Sequence, residues 1–69
     1  MTGTSEMRTE ALLDDLLFVE HDAMICRLHM QANGDTEMGG ILMSERMGHD
    51  LRIMTLIKAE LERRGVALP

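Results

Sequence analysis

Leu12-Leu13-Asp14-Asp15-Leu16-Leu17-Phe18-Val19, continued by Glu20-His21-Asp22-Ala23-Met24-Ile25-Cys26-Arg27-Leu28, is the stretch whose periodicity decides the fold. Leu12, Leu16, Val19, Ala23, Cys26 and Met30 recur with alternating spacings of four and three, the repeat of a helix packed along one seam. A second stripe, Leu13, Leu17, Met24 and Leu28, lies beside that seam. A third, Met7, Phe18 and Ile25, lies away from it. A helix apolar on nearly every side is a buried helix, so something must surround this one.

Working outward, Thr4 or Ser5 reads as an N-cap and Glu6 as a first-turn acid, which sets a flexible lead at 1–5 and a first helix over about 6–32. Asn33-Gly34 is the stop, because glycine takes the left-handed C′ conformation without steric cost. A turn over 33–36 follows, with Asp35 or Thr36 as the next cap and a second helix over about 37–64. Gly39-Gly40, each costing nearly 1 kcal/mol relative to alanine, leave its start open between Thr36, with a weak first turn, and Ile41. Gly65 then serves as the C′ residue, Val66 falls where a Schellman motif packs it on Leu61, and 65–69 forms a tail.

On the second helix Met43, Met47, Leu51, Met54, Ile57 and Leu61 share one face, and Leu42, Ile53 and Leu56 form a smaller lateral stripe. Arg46 with Asp50 and Glu60 with Arg64 sit at i,i+4, pairs worth a few tenths of a kcal/mol each. The short connection makes the helices antiparallel neighbours. The fold class expected is therefore all-α, an antiparallel two-helix hairpin.

The chain has 69 residues. A domain of that size buries only about 60% of the surface its unfolded chain exposes, and one such core rarely supplies more than roughly 3–5 kcal/mol. Helix 2 can cover one stripe of helix 1, and the other stripes stay wet. The expected remedy is a two-fold homodimer forming a four-helix bundle, the commonest kind of assembly. The seam Leu12, Leu16, Val19, Ala23 and Met30 with Met47, Leu51, Met54, Ile57 and Leu61 is assigned to core or self-association. Leu17, Phe18, Ile25, Leu28, Ile53 and Leu56 are assigned to partner binding. Phe18 is the single aromatic residue and the anchor of that set. Aspartate at Leu16 or Leu51 is expected to dissociate or unfold the protein.

Charge narrows the partners. The net charge is −5, with eight acids and two arginines in residues 1–37 but four acids and five bases in 38–69. A phosphate-binding surface needs clustered Lys and Arg, and stacking on bases needs aromatic rings, so nucleic acid is not an expected partner. No apolar run approaches the roughly 18 residues of a membrane span. The sequence carries no basic, then apolar, leader pattern, and a lone cysteine suits a reduced, cytoplasmic setting.

Chemical motifs are sparse. Cys26, His29 and Met30 lie within one turn, with His21 and Met24 just before, and thiolate, thioether and imidazole are ligands for copper or zinc. Against that, Cys26 belongs to the apolar seam and His29 points elsewhere, so no cofactor is expected. Inward Glu with a Glu-x-x-His spacing, as a di-iron bundle requires, is missing. A Cys26–His29 nucleophile and base would need access, and a plain hairpin offers no concave pocket. His49 on the lateral stripe reads as a half-exposed polar filler, and Arg63-Arg64 as complements to the helix dipole. The eight methionines suit either gap-filling or a surface that repacks around varied targets. The expected function is a small non-enzymatic adaptor, chaperone or inhibitor that self-associates and acts on another protein, with no small-molecule substrate. The alternative is a copper- or zinc-responsive regulator built on Cys26, His29 and the methionines.

Overall fold

Two helices with opposed directions carry the chain in the computed structural model, which describes residues 3–68. Helix α1 spans Thr9–Asn33 and helix α2 spans Met43–Arg63. Thr9 meets Arg64 at one end, and Asp22 meets Arg46 well along the other way, so the helices run antiparallel. Leu12 and Leu16 of α1 pack with Ile57 and Leu61 of α2, and Met7, Leu13, Ile53, Met54 and Val66 close around them. Val19, Ala23, Cys26 and Met43 continue the buried strip toward the connection. Fully burying a residue of the leucine kind contributes roughly 1.5–3 kcal/mol, so this strip is the main source of stability.

Helix α1 begins three residues later than its sequence suggests. Thr4–Glu6 closes a single 3₁₀ turn, and Met7 and Arg8 are extended before the helix starts at Thr9. Two contacts explain the break. Met7 turns onto the core cluster, and Arg64 Nη2 donates to the carbonyls of Thr4 and Ser5 at 3.1 and 3.3 Å. Those carbonyls would otherwise accept bonds inside a continuous first turn. Neither Thr4 nor Ser5 is the cap of α1. That position is Arg8, which caps without a side-chain bond. The far end follows expectation within one residue: Gly34 has φ 78° and returns its N–H to Met30 O at 2.8 Å.

The connection corrects the all-α expectation and the start of the second helix. Strand β1, Glu37–Met38, pairs antiparallel with strand β2, Ile41–Leu42, in the register Glu37 to Leu42 and Met38 to Ile41. Gly39 and Gly40 form the two-residue loop with φ 61° and 83°. Two successive positive φ values are what a type I′ turn demands, and glycine supplies them without strain. Helix α2 therefore starts at Met43, two residues past the later of the two expected starts, Ile41. Asp35 caps it from across the hairpin: Ser44 N–H donates to Asp35 Oδ1 at 2.9 Å and the Ser44 hydroxyl donates to Oδ2. Those bonds hold the Asp35 carboxyl below its ordinary range.

At the other end the Schellman motif forms as expected. Val66 N–H donates to Leu61 O and Gly65 N–H to Glu62 O, both at 3.0 Å, and Val66 packs on the core. The face α2 buries is the expected one except at Leu51. Met43, Ile57 and Leu61 are buried, and Met47, Met54 and Ile53 are half-buried. Leu51 is 45% exposed, while Asp50 and Glu60 are buried. The helix is turned so that two carboxylates, not Leu51, look inward. No helix among the described residues is long and apolar enough to cross a membrane.

Candidate functional site

The outer side of α1 remains uncovered. Leu17, Phe18, Met24, Ile25 and Leu28 are all exposed, Phe18 at 69%. At 1.5 Å rise per residue, Leu17 to Leu28 spans about 16 Å of helix. A soluble monomer rarely shows a contiguous apolar patch of more than a few hundred Å². The seam residues Leu12, Leu16, Val19 and Ala23 are buried within the chain, together with Cys26, and Met30 is half-buried. They are core of this hairpin. The residues assigned to partner binding divide: Leu17, Phe18, Ile25, Leu28 and Leu56 are exposed, and Ile53 is half-buried against the core cluster.

A polar cluster lies beside that patch, between the helices. Arg46 Nε and Nη2 donate to Asp22 Oδ2 and Oδ1 at 3.0 and 2.6 Å. Arg46 thus reaches across to α1 rather than along its own helix to Asp50, the pair its spacing suggests. One turn along α1, Cys26 Sγ lies 3.9 Å from Asp22 Oδ2 and donates toward it. One turn along α2, Asp50 is 7% exposed, and its Oδ2 has no hydrogen-bond partner among the described residues.

The three acidic groups answer to one another. The Arg46 guanidinium holds the Asp22 carboxyl below its usual range. Burial, with the neighbouring Asp22 adding to it, pushes Asp50 up to about 6. Burial raises the Cys26 thiol, and the Asp22 charge raises it further. This is the pattern of two adjacent carboxyls of which only one is readily ionised. Donor atoms of Asp22, Cys26 and Asp50 all lie within 4.8 Å of one another.

The β1–β2 excursion also makes a concavity where a plain hairpin was expected to have none. A cleft of about 710 Å³ is walled by Phe18, Met38 and Ile41, with Asp22, Arg46 and Asp50 among its polar groups. His49, exposed, lies at the same cleft. His29, by contrast, is engaged elsewhere: its Nε2 lies 2.9 Å from Thr36 Oγ1. It is not part of the thiol–carboxylate group, so the structure brings Cys26 together with aspartates and not with His29.

A second ionic cluster, at the C-terminal end of α2, is a clasp. Arg64 Nε donates to Glu60 Oε2 at 2.6 Å, confirming that expected pair, and Arg63 donates to both Glu60 oxygens. Arg64 also donates to Thr9 Oγ1 and to the 3₁₀ turn. The two arginines hold the buried Glu60 carboxyl down to about 2. They tie the ends of both helices together rather than simply complementing a dipole. No family model, curated protein or solved structure matches this chain.

The sequence held a partial signal for the polar cluster. Asp22 and Cys26 at i,i+4 share one face of α1, and Arg46 and Asp50 share one face of α2. Nothing in either spacing says that the two faces meet.

Proposed function

We propose that the protein is a small non-enzymatic helical adaptor, chaperone or inhibitor that self-associates and acts on another protein through its apolar helix faces. One observation supports this above the rest: five large apolar side chains on the outer side of α1 are exposed while the seam is already filled from within the chain. Covering that patch removes apolar area from water at about 25 cal/mol per Å².

The occupant we favour is a second copy in an isologous dimer, so that two hairpins make four helices. Charge selects the orientation. Glu10, Asp14, Asp15 and Glu20 all lie in the first half of α1, whereas its single arginine, Arg27, lies in the second. An antiparallel crossing sets the acidic half of one copy beside the other half of its mate, and a parallel crossing sets acids on acids. A dyad near His21 then places Phe18 against Met24, and Leu17 against Ile25, of the second copy. Leu51 and Leu56 on α2 remain for a different protein, met by helix-in-groove packing. The lone thiol Cys26 suits a reducing, cytoplasmic workplace.

Isotope-filtered NMR on a mixture of labelled and unlabelled chains tests the interface. Contacts from the Phe18 ring to Met24 methyl protons between chains are expected. A dimer whose intermolecular contacts come from α2 alone rejects the assignment.

A further inference from the structure

We propose that Asp22, Cys26 and Asp50 form a binding site for a borderline divalent metal ion of the zinc class, reached through the cleft that Asp22 and Asp50 line. The site goes beyond the interaction role proposed above and does not depend on it.

Three observations carry the assignment. The first is placement. Asp22 and Cys26 stand one turn apart on α1, the i,i+4 spacing by which a helix offers two ligands from one face, and Asp50 approaches from α2. The second is distance. The donor atoms lie within 4.8 Å of one another, and Cys26 Sγ to Asp22 Oδ2 is already 3.9 Å. A tetrahedral ion with a metal–sulfur bond of about 2.3 Å and metal–oxygen bonds of about 2.0–2.2 Å needs donors roughly 3.5 Å apart. The 3.9 Å Cys26–Asp22 pair already approaches that separation. The third is an unmet need. Asp50 is nine-tenths buried with its carboxyl beside that of Asp22, another acceptor when ionised, and its Oδ2 then has no donor among the described residues. A buried acceptor left unsatisfied costs on the order of 1–3 kcal/mol. A cation between the two carboxylates satisfies it.

The donor set selects the ion. One thiolate excludes calcium and magnesium, which take oxygen ligands in larger number. Two carboxylates with a single sulfur do not suit copper(I), which prefers thiolate and thioether. Zinc accepts Cys and Asp together, and three protein ligands leave its fourth position for water. Binding displaces the Cys26 thiol proton, and that of Asp50 where it is protonated, to solvent. The charges facing the ion are Asp22 and Cys26 from α1 and Arg46, His49 and Asp50 from α2. Arg46 now neutralises Asp22, and its side chain is 45% exposed, so it has solvent to move into when the ion takes over that role.

The test uses the full chain, stripped with chelator and kept reduced, titrated with cobalt(II) alone. A one-equivalent endpoint is expected, with a near-ultraviolet thiolate-to-cobalt band, tetrahedral visible bands and displacement of both by zinc(II). The near-isosteric Cys26→Ser and Asp50→Asn should each remove the ultraviolet band or weaken cobalt binding at least tenfold, while far-ultraviolet circular dichroism stays unchanged. Cobalt binding that survives both substitutions, or a wild-type chain with no thiolate band at millimolar cobalt, overturns the proposal. Should either variant unfold, zinc-edge X-ray absorption of the wild-type protein decides. One sulfur among oxygen scatterers supports the site, and a shell without sulfur refutes it.

Discussion

The two helices solve the problem of burial in opposite ways. Helix α1 buries nothing but apolar side chains and still leaves five large ones in water. Helix α2 buries Asp50 and Glu60 while Leu51 and Leu56 stay exposed. The apolar pattern picks the buried face of α2 at every position but Leu51, and two carboxylates share that interior with it. On α2 Met43, Ile57 and Leu61 fill the interior, and charged contacts flank them at both ends, Arg46 on Asp22 and Arg64 on Glu60 and Thr9. The apolar excess on α1 has no such intrachain explanation. Its flanks are a surface, whereas of the buried carboxylates of α2 Glu60 is held by two arginines and Asp50 lies beside another carboxylate.

The sharpest way to break this contrast is to charge the seam of α1. Leu16→Asp puts an unpaired carboxylate at a site that is 2% exposed. A loss of about 3–5 kcal/mol is expected, enough to unfold a domain of this size. Urea denaturation followed by circular dichroism measures it.

Arg64→Met probes the clasp. It removes the donor that joins Glu60, Thr9 and the Thr4 and Ser5 carbonyls. Arg63 still pairs with Glu60, so the cost should be about 2 kcal/mol rather than complete unfolding. Faster amide exchange at Glu6 and Met7, whose N–H groups close the 3₁₀ turn, is expected alongside.

Asp50→Asn should move stability the other way. With its carboxyl raised from 3.8 to about 6, the folded state holds a proton that the unfolded state has lost across that window. Wild-type stability therefore falls as pH rises from about 4 to about 6 and stays at the lower level above it. In metal-free protein, asparagine should gain about 2 kcal/mol near pH 7.5, and that gain should vanish below about pH 4. Thermal melts of both chains across this range check it. An equal difference at every pH contradicts it.

Leu51→Asp is expected to change stability least, by under about 0.5 kcal/mol, because Leu51 is a surface residue here. The same denaturation assay that unfolds Leu16→Asp should barely register this change. A large loss instead places Leu51 in a buried contact.

These outcomes also explain how far the residues could be read in advance. The seam Leu12, Leu16, Val19, Ala23 and Cys26 was legible because α1 meets α2 through apolar side chains throughout, and periodicity detects such a strip. The face of α2 was misjudged at Leu51 for the complementary reason: a pattern of apolar residues favours Leu51 over its neighbour Asp50. The β1–β2 pair left no alternation to read, since each strand has two residues, and its one signal was Gly39-Gly40, a turn dipeptide. The Asp22, Cys26 and Asp50 group escaped because it depends on which turn of one helix faces which turn of the other. Exposure of Leu17, Phe18 and Leu28 was the feature anticipated most directly, since one neighbouring helix cannot shield a cylinder that is apolar on several sides.

Sedimentation equilibrium of the wild-type chain beside Phe18→Glu, both at tens of micromolar, measures the central claim. We expect twice the 7.8 kDa chain mass for the wild type and a single, still helical chain for the variant. A folded wild-type monomer at every concentration would contradict the account.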